Sequence, residues 1–336
     1  PAERFDAVAL DLARFQLAHV EPFARLVRAK GVAIDTAPSA DAVPAVPSDV
    51  FRLARVAAHA EAEDARVFRT SGTTQGDAAR GEHPLRTLET YAAGALAWGE
   101  RMLWPDGAEL AAIALAPPPG DAPDSSLSFM IDLFARALRG PATFHVRGGE
   151  LDVEGVARAC ADARDLGRPA LVMGTAFAFV HLVDAKPGAA CALPPGSRAM
   201  QTGGFKGRSR VVAPEELREG IAAAFAMPAA RVVGEYGMTE LSSQLYEAAW
   251  SGPGVYWAPP WLRVRAADPQ TLDVLPFGRE GVARFVDLAN VDSSAFVQTA
   301  DVVRVHEDGA VELLGRAPGA PPRGCSLAIE AMLEGA

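Results

Sequence analysis

Residues 70–76 read Thr-Ser-Gly-Thr-Thr-Gln-Gly and form the most informative stretch of the sequence. Four hydroxyl side chains and two glycines within seven residues favour a turn whose donors can approach a phosphate group closely. We call this segment the hydroxyl loop. It is not a Walker A loop, because no Gly-Lys-Ser/Thr follows it. Taken alone, it is equally compatible with an ordinary Ser/Thr turn.

A second informative string, Gly-Glu-Tyr-Gly-Met-Thr-Glu, occupies residues 234–240, directly after the strand-like Arg231-Val232-Val233. Three shorter strings accompany it: Thr202-Gly203-Gly204-Phe205-Lys206-Gly207, Thr299-Ala300-Asp301 and Leu314-Gly315-Arg316. Several strings in a fixed order are far more specific than any one of them.

Together with the hydroxyl loop, these strings resemble the motifs of the adenylate-forming superfamily, which includes acyl-CoA synthetases, nonribosomal adenylation domains and luciferases. The paired signatures of that superfamily are TSGTTG and YGxTE. The resemblance covers roughly residues 65–330 and implies ATP and Mg²⁺ as cofactors. It assigns the loop at 203–204 to adenine and Asp301 to the ribose, with Ala300 replacing the usual Gly. The nucleotide-binding residues that it implies are Thr70, Ser71, Gly72, Thr73, Thr74, Gly203, Gly204, Tyr236, Gly237, Asp301 and the hinge residue Arg316.

The resemblance also implies a reaction. A carboxylate is a poor electrophile, so it attacks the α-phosphate of ATP, and the growing negative charge must be spread over hydroxyls, backbone amides and Mg²⁺. Thr239 can donate a hydrogen bond to the α-phosphate. Glu240 offers a hard oxygen ligand that suits Mg²⁺.

Within the superfamily, the short length and the strings at 125–127, 203–207 and 237–244 most resemble the acyl-protein synthetase branch. That branch is the fatty-acid-activating component of the bioluminescence fatty-acid reductase complex, and its members load the acyl group onto a cysteine near their C-terminus. Cys325 lies 11 residues before the end of the sequence and fits this role, with Arg323 favouring its thiolate. The resemblance therefore implies a carboxylic acid substrate, expected to be fatty, and an acyl reductase or acyl carrier as partner.

The sequence departs from the superfamily in two places. It ends 20 residues after Arg316, which predicts that the lid domain and its catalytic lysine are absent. Lys206, in the predicted adenine loop, is the candidate catalytic lysine that remains, with a surface lysine as the alternative. The hydroxyl loop is followed by Asp77 instead of the usual Pro-Lys-Gly, and a carboxylate beside a triphosphate is unfavourable. Arg80 is the nearest cation.

Alternating strand and helix patterns predict an α/β fold with a parallel sheet. The resemblance implies that this fold is the large N-terminal domain of the adenylate-forming enzymes. Helical patterns cover 1–35, 85–103, 126–138, 153–165 and 176–184, and strand patterns cover 111–115, 141–146 and 170–173. After about residue 250, short strand patterns at 255–257, 262–264, 281–288, 301–305 and 311–314 predict a small antiparallel β subdomain. We predict an α/β core at 1–250, a β subdomain of that core at 251–314, and a hinge remnant and tail at 315–336.

Residues Gly174 and Thr175 stand where the family has its substrate loop, so they and Phe177 are candidates for an acyl pocket. A core position for Phe177 is equally compatible with the pattern.

The composition is that of a globular protein of about two domains, with 336 residues, 49% hydrophobic and 22% charged. The net charge of −10 argues against nucleic acid or anionic lipid as a partner. The longest apolar stretch, 169–183, is shorter than a membrane span of about 20 residues. Three cysteines are too few for a disulfide framework and favour a reducing, cytoplasmic compartment.

The sequence leaves three functions open. The first is acyl-adenylate formation followed by acyl transfer to Cys325. The second keeps the adenylation but passes the acyl group to CoA, a carrier protein or an amine. The third is a degenerate nucleotide-binding subunit without turnover, which the missing lid lysine and Asp77 suggest.

Overall fold

The computed structural model describes residues 2–70, 80–203, 212–248, 252–316 and 332. Within these ranges the chain forms two compact units that are interleaved in sequence. The first unit comprises Pro1–Gly94, Met238–Gln244 and Trp257–Ala336, and the second comprises Ala95–Gly237 and Leu245–Tyr256. The domain boundaries predicted at 250 and 314 stay predictions.

The longer helices of the described residues agree with the predicted patterns at 1–35, 85–103, 126–138, 153–165 and 176–184, whereas the helix at 214–225 was not predicted. These helices are α1 Ala2–His19, α2 Glu21–Ala29, α3 Glu89–Leu103, α4 Ser126–Ala137, α5 Val153–Asp165, α6 Ala176–Asp184 and α7 Pro214–Phe225. The Asp152 side chain caps α5 by accepting from Gly155 N at 2.7 Å, and the Thr175 hydroxyl caps α6 by accepting from Ala178 N at 3.1 Å. None of the helices in the described part of the chain combines the length and apolar character that crossing a membrane requires.

The helical pattern over 1–35 is divided into two helices. Val20 has extended backbone angles, and Pro22 lies in the first turn of α2. Proline fits there because the first N–H groups of a helix have no intrahelical partner, whereas it would disrupt a continuous helix. Buried Phe23 then stacks on Phe296 with ring centroids 5.8 Å apart, which ties α2 to the core of the first unit.

The strands in the described residues are β1 Val46–Pro47, β2 Arg66–Arg69, β3 Glu82–Leu85, β4 Leu110–Leu115, β5 Arg139–Phe144, β6 Val146–Arg147, β7 Glu150–Leu151, β8 Ala170–Thr175, β9 Arg198–Thr202, β10 Val232–Tyr236, β11 Leu245–Glu247, β12 Val255–Trp257, β13 Leu262–Ala267, β14 Glu280–Asp287, β15 Phe296–Val305 and β16 Val311–Arg316. In the first unit, β13, β14, β15 and β16 pair in that order as an antiparallel sheet, and β2 pairs with β3 as a hairpin.

The second unit contains the predicted parallel sheet, in the order β11-β10-β9-β8-β4-β5, with β11 antiparallel to β10. Both central strands, β4 and β8, are apolar and almost entirely buried, as expected for strands covered on both faces. Residues Ile113, Val172, Ala199 and Val232 are register partners on successive strands, and they pack with buried residues of α5, α6 and α7 in one core. This confirms the predicted α/β fold.

Candidate functional site

The hydroxyl loop begins at the end of the β2–β3 hairpin in the first unit. Thr70 closes the base of the loop twice: its N–H donates to Gly81 O at 2.9 Å, and its hydroxyl accepts from Gly81 N at 2.8 Å. Arg80 Nε donates to Thr70 O at 2.6 Å. The predicted phosphate-binding residues Ser71, Gly72, Thr73 and Thr74 lie outside the described residues. The hairpin therefore joins Thr70 to Arg80 and Gly81, the residues on either side of 71–79.

The Thr239–Glu240 turn belongs to the same unit and is held by its backbone carbonyls. His83 Nδ1 on β3 lies 2.6 Å from Thr239 O, so this nitrogen carries the proton and donates. Asn290 Nδ2 donates to Glu240 O at 2.8 Å. The two residues that the sequence assigned to phosphate and Mg²⁺ thus form one turn, which the strand following the hydroxyl loop contacts directly.

Asp287 at the end of β14 holds the residues that follow this turn. Its carboxylate accepts from Ser242 N at 3.0 Å, from the Ser243 hydroxyl at 2.7 Å and from Ala289 N at 3.0 Å. Burial raises the pKa of Asp287 to about 6 even though these donors lower it. Together with Asn290 and His83, it leaves the Thr239–Glu240 turn little freedom.

His83 is fully buried and uncharged at neutral pH. Burial lowers the pKa of its imidazole to about 4, although the Thr239 carbonyl and the Asp292 carboxylate favour the charged form. Its Nε2 atom has no hydrogen-bond partner in the described part of the chain. A neutral imidazole with a protonated Nδ1 is therefore the form that holds Thr239.

We expect this histidine to make the folded protein less stable in mild acid. Because its folded-state pKa lies below the ordinary 6.5, its contribution is complete above pH 6.5 and is lost as the pH falls towards 4. Between pH 7 and pH 5 the wild type should lose about 2 kcal/mol more unfolding free energy than His83→Gln, whose amide can still donate to Thr239 O. Urea unfolding at both pH values measures this difference.

The wild type must be compared with His83→Gln, because the contribution of Asp287 to the unfolding free energy has the opposite pH dependence. Its raised pKa means that its contribution is lost as the pH rises through about 6. That contribution is common to the wild type and His83→Gln and cancels in the difference. Equal losses in the two proteins would contradict the neutral, buried form of His83.

The predicted ribose and hinge residues are register partners in the antiparallel sheet. Asp301 on β15 lies opposite Arg316 on β16. The Thr299 hydroxyl accepts from Asp301 N at 3.1 Å and donates to Ala283 O at 3.2 Å. Ala300 lies in β15 where the register with β14 shifts, between the pairs Arg284–Gln298 and Val282–Val302. The strings at 299–301 and 314–316, which are separate in sequence, therefore lie on paired strands of the first unit.

The second unit holds the remaining described candidates. Tyr236 ends β10 and Gly237 follows it, while Gly203 follows β9 with φ +75°, a left-handed conformation that favours glycine. A Cβ on Gly203 would meet no atom of the described residues within 4 Å. Gly204 and Lys206 lie outside the described residues.

The candidate acyl-pocket residues lie at the junction of β8 and α6. A Cβ on Gly174 would stand 2.7 Å from Leu115 Cβ, so close packing of β8 against β4 requires glycine there. Phe177 is half-buried and meets the His181 ring edge-on at 4.9 Å. Thr175 caps α6 and is the register partner of Thr202.

Glu235 is a buried acid that the sequence reasoning did not single out, although it lies inside the second string. It is 5% exposed, and its carboxylate accepts a hydrogen bond from the Thr202 hydroxyl. Burial raises the pKa of Glu235 to about 7. Perturbed carboxyls in such positions are frequently functional.

Glu240 is the candidate metal ligand among the described residues. Glu240 is 7% exposed and is the carboxylate nearest in sequence to the predicted phosphate donor Thr239. Within the described ranges no cluster of three or more His, Cys, Asp or Glu residues could hold a metal ion. Mg²⁺ bound with a nucleotide commonly uses one or two carboxylates and the phosphates, so this donor set fits a nucleotide-bound Mg²⁺ and does not fit an all-protein cage.

The three cysteines differ in placement. Cys160 and Cys191 are buried thiols in the core of the second unit. A hydrogen bond to Cys191 and burial raise the pKa of the Cys160 thiol, which keeps it protonated. Cys325, the predicted acyl acceptor, lies outside the described residues.

Solved structures share this fold. The chain matches 2-hydroxyisobutyryl-CoA ligase in complex with 2-HIB-AMP with a TM-score of 0.70 and 17% identity, over 94% of this chain and 67% of that one. It matches ATP-bound MatB from Rhodopseudomonas palustris with a TM-score of 0.54 and 18% identity, over 75% of this chain and 48% of that one. The match thus spans about half the length of MatB. At these identities the likeness concerns the fold alone, which is that of adenylate-forming enzymes.

Sequence comparisons give the family. A 100-residue segment is 31% identical to the long-chain-fatty-acid–luciferin-component ligase of Vibrio harveyi, covering 28% of this chain and 26% of that relative. The chain therefore spans about a quarter of that relative's length in the match. The family model for the acyl-protein synthetase LuxE matches residues 127–334, which is more than half of the sequence. The chain belongs to the LuxE acyl-protein synthetase family.

Proposed function

We propose that this chain activates a carboxylic acid with ATP, forming an acyl-adenylate and pyrophosphate. A carboxylate oxygen of the acid attacks the α-phosphorus of ATP, the bond from that phosphorus to the β-phosphate oxygen breaks, and pyrophosphate leaves. The observation that carries the proposal is the contact from His83, on the hairpin that bears the hydroxyl loop, to the Thr239–Glu240 turn. It supports a common role for the two strings.

Each segment of the proposed site has its own role in binding the nucleotide or in the reaction. The hydroxyl loop donates to the phosphates, and Thr239 donates to the α-phosphate as negative charge grows there. Asp301 binds the ribose, and residues 203–204 with Tyr236 and Gly237 bind the adenine side of the nucleotide. Mg²⁺, held by Glu240, would neutralise charge on the phosphate oxygens. Arg316 is the hinge residue, and Lys206 is the remaining candidate for a catalytic lysine.

Acid-dependent exchange of radioactive pyrophosphate into ATP tests the adenylation step. We expect exchange only when ATP, Mg²⁺ and a suitable carboxylic acid are all present, because the reverse reaction needs the acyl-adenylate. A series of straight-chain acids of increasing length is the first panel, since the family is named for acyl transfer. No exchange with any acid would favour a non-catalytic nucleotide-binding subunit, and exchange that does not depend on the acid would contradict an acyl-adenylate intermediate.

We further propose that the acyl group moves to the Cys325 thiol. The thiolate attacks the carbonyl carbon of the mixed anhydride, a thioester forms, and AMP leaves. The position of Cys325 in the tail and the family membership support this step. An acyl reductase or an acyl carrier would then be the partner that takes the acyl group.

A different acceptor is the second candidate for this step. CoA, a carrier protein or an amine could receive the acyl group directly from the adenylate. Exchange activity without any acyl-protein adduct would favour this candidate.

A further inference from the structure

Glu235 has an environment that differs from that of other buried acids in its unit. Glu247 is equally buried, at 5% exposure, but the Arg218 guanidinium donates to it, and so do Gly234 N and Gly254 N at 2.5 Å each. Glu235 has the Thr202 hydroxyl as its hydrogen-bond donor, and no described cation pairs with it. A buried carboxylate normally has a cation or several donors, and among the described residues Glu235 lacks the cation that Glu247 has.

The position of Glu235 points to a ligand as that partner. Thr175, Thr202 and Glu235 are register partners at the carboxyl ends of the parallel strands β8, β9 and β10. Side chains alternate between faces along a strand, so these three share one face, opposite to the Val172 and Val232 side that packs with α5, α6 and α7. Open α/β sheets bind ligands outside the carboxyl ends of their strands.

The same row contains part of the predicted acyl pocket. Thr175 is a candidate for that pocket, and Tyr236, the residue after Glu235, is a candidate for nucleotide binding. A carboxylate in this row would face the acyl chain of an acid held for adenylation. An unsubstituted alkyl chain would leave that carboxylate buried without a further donor, whereas a chain with a donor would satisfy it.

We infer that Glu235 and Thr202 form a polar subsite that selects carboxylic acids whose chain carries a hydrogen-bond donor, either a hydroxyl or an ammonium group. The inference rests on the proposed adenylation and names the substrate class for it. Glu235 accepts the bond from the substrate donor, and the Thr202 hydroxyl orients the carboxylate. No covalent step involves either residue.

Acid-dependent pyrophosphate exchange with matched acids tests this inference. The panel contains straight-chain acids, their hydroxy and amino derivatives at successive carbons, and the corresponding methoxy ethers, which accept but do not donate. We expect the best hydroxy or amino acid to exceed its parent acid and its methoxy ether by about tenfold or more in kcat/KM. Two variants separate the role of the negative charge of Glu235 from the role of its hydrogen bond. Glu235→Gln should keep the hydroxyl preference and lose the ammonium preference, and Glu235→Met should prefer the unsubstituted acid.

Thermal unfolding separates a ligand-binding acid from a structural one. A buried carboxylate whose role is to bind substrate destabilises the protein when no substrate is bound. Glu235→Met should therefore unfold at the same temperature as the wild type or at a higher one. Glu150→Gln, at an exposed position on β7, is the control and should change neither the acid preference nor the unfolding temperature.

The outcomes distinguish the inference from the function on which it rests. Exchange with no acid of the panel would contradict the proposed adenylation and the inference with it. Equal exchange with parent, methoxy and donor-bearing acids would leave adenylation standing and overturn the inference. A donor preference that persists in Glu235→Met, or a lower unfolding temperature of that variant, would also overturn it.

Discussion

Glu240→Gln should lower acid-dependent pyrophosphate exchange by at least about a hundredfold, because the amide removes the negative charge that would hold Mg²⁺ against the phosphates. The side chain keeps its size, and the backbone of the turn keeps its hydrogen bonds from His83 and Asn290, which both go to carbonyls. The turn should therefore stay in place, and the loss should reflect chemistry. Exchange at saturating acid and ATP, over a range of Mg²⁺ concentrations, measures it.

The matched control for this prediction is Glu307→Gln. Glu307 lies exposed in the connection between β15 and β16, and the same change of charge there should leave exchange unchanged. Higher Mg²⁺ should partly restore the Glu240→Gln variant, since a weakened metal site fills at higher concentration. Full exchange in Glu240→Gln at low Mg²⁺ would remove Glu240 from the proposed site.

Cys325→Ser should abolish the acyl-protein thioester while leaving acid-dependent exchange intact. Adenylation and acyl transfer are separate steps, and only the second uses the thiol. After incubation with ATP, Mg²⁺ and an active acid, intact mass spectrometry should give the wild type one acyl adduct that neutral hydroxylamine removes. The Cys325→Ser variant should show no such adduct.

Cys160→Ala is the control for this experiment. The Cys160 thiol is buried in the core of the second unit, where its raised pKa disfavours the reactive thiolate, so its removal should leave the adduct unchanged. An adduct that survives in Cys325→Ser would assign the acceptor elsewhere. Exchange with no adduct in the wild type would favour CoA, a carrier protein or an amine as the acceptor.

Local signals in the sequence predict several elements of the second unit, although they did not indicate β9 or α7. The helix patterns at 153–165 and 176–184 coincide with α5 and α6, because Asp152 and Thr175 are good N-caps directly before apolar periodic segments. The strand patterns at 111–115 and 170–173 coincide with β4 and β8 to within two residues at either end. Such signals depend on neighbours in sequence and need no knowledge of the fold.

The side chains that hold the Thr239–Glu240 turn could not be predicted in the same way. His83 lies 156 residues before Thr239, and Asn290 lies 50 residues after Glu240. Nothing in the local sequence of either residue indicates a partner so far away. Asp287 ends β14 and Asn290 follows it, and both look like ordinary turn residues, since Asp and Asn are common in turns.

Glu235 is a different case, because its sequence did contain a signal. It lies within the string at 234–240, in a strand that a parallel sheet would bury, and a charged residue in such a strand is unusual. The sequence alone could therefore have indicated that Glu235 requires a hydrogen-bond donor or a cation. Its pairing with Thr202 required the register of β9 and β10.

The central claim is that the hydroxyl loop and the Thr239–Glu240 turn bind the same triphosphate. A crystal structure of the protein with ATP and Mg²⁺ tests it most directly. The account predicts hydrogen bonds to one set of phosphate oxygens from residues 71–74 and from the Thr239 hydroxyl, with Glu240 at the metal. Phosphates bound by one of these two segments and remote from the other would contradict it.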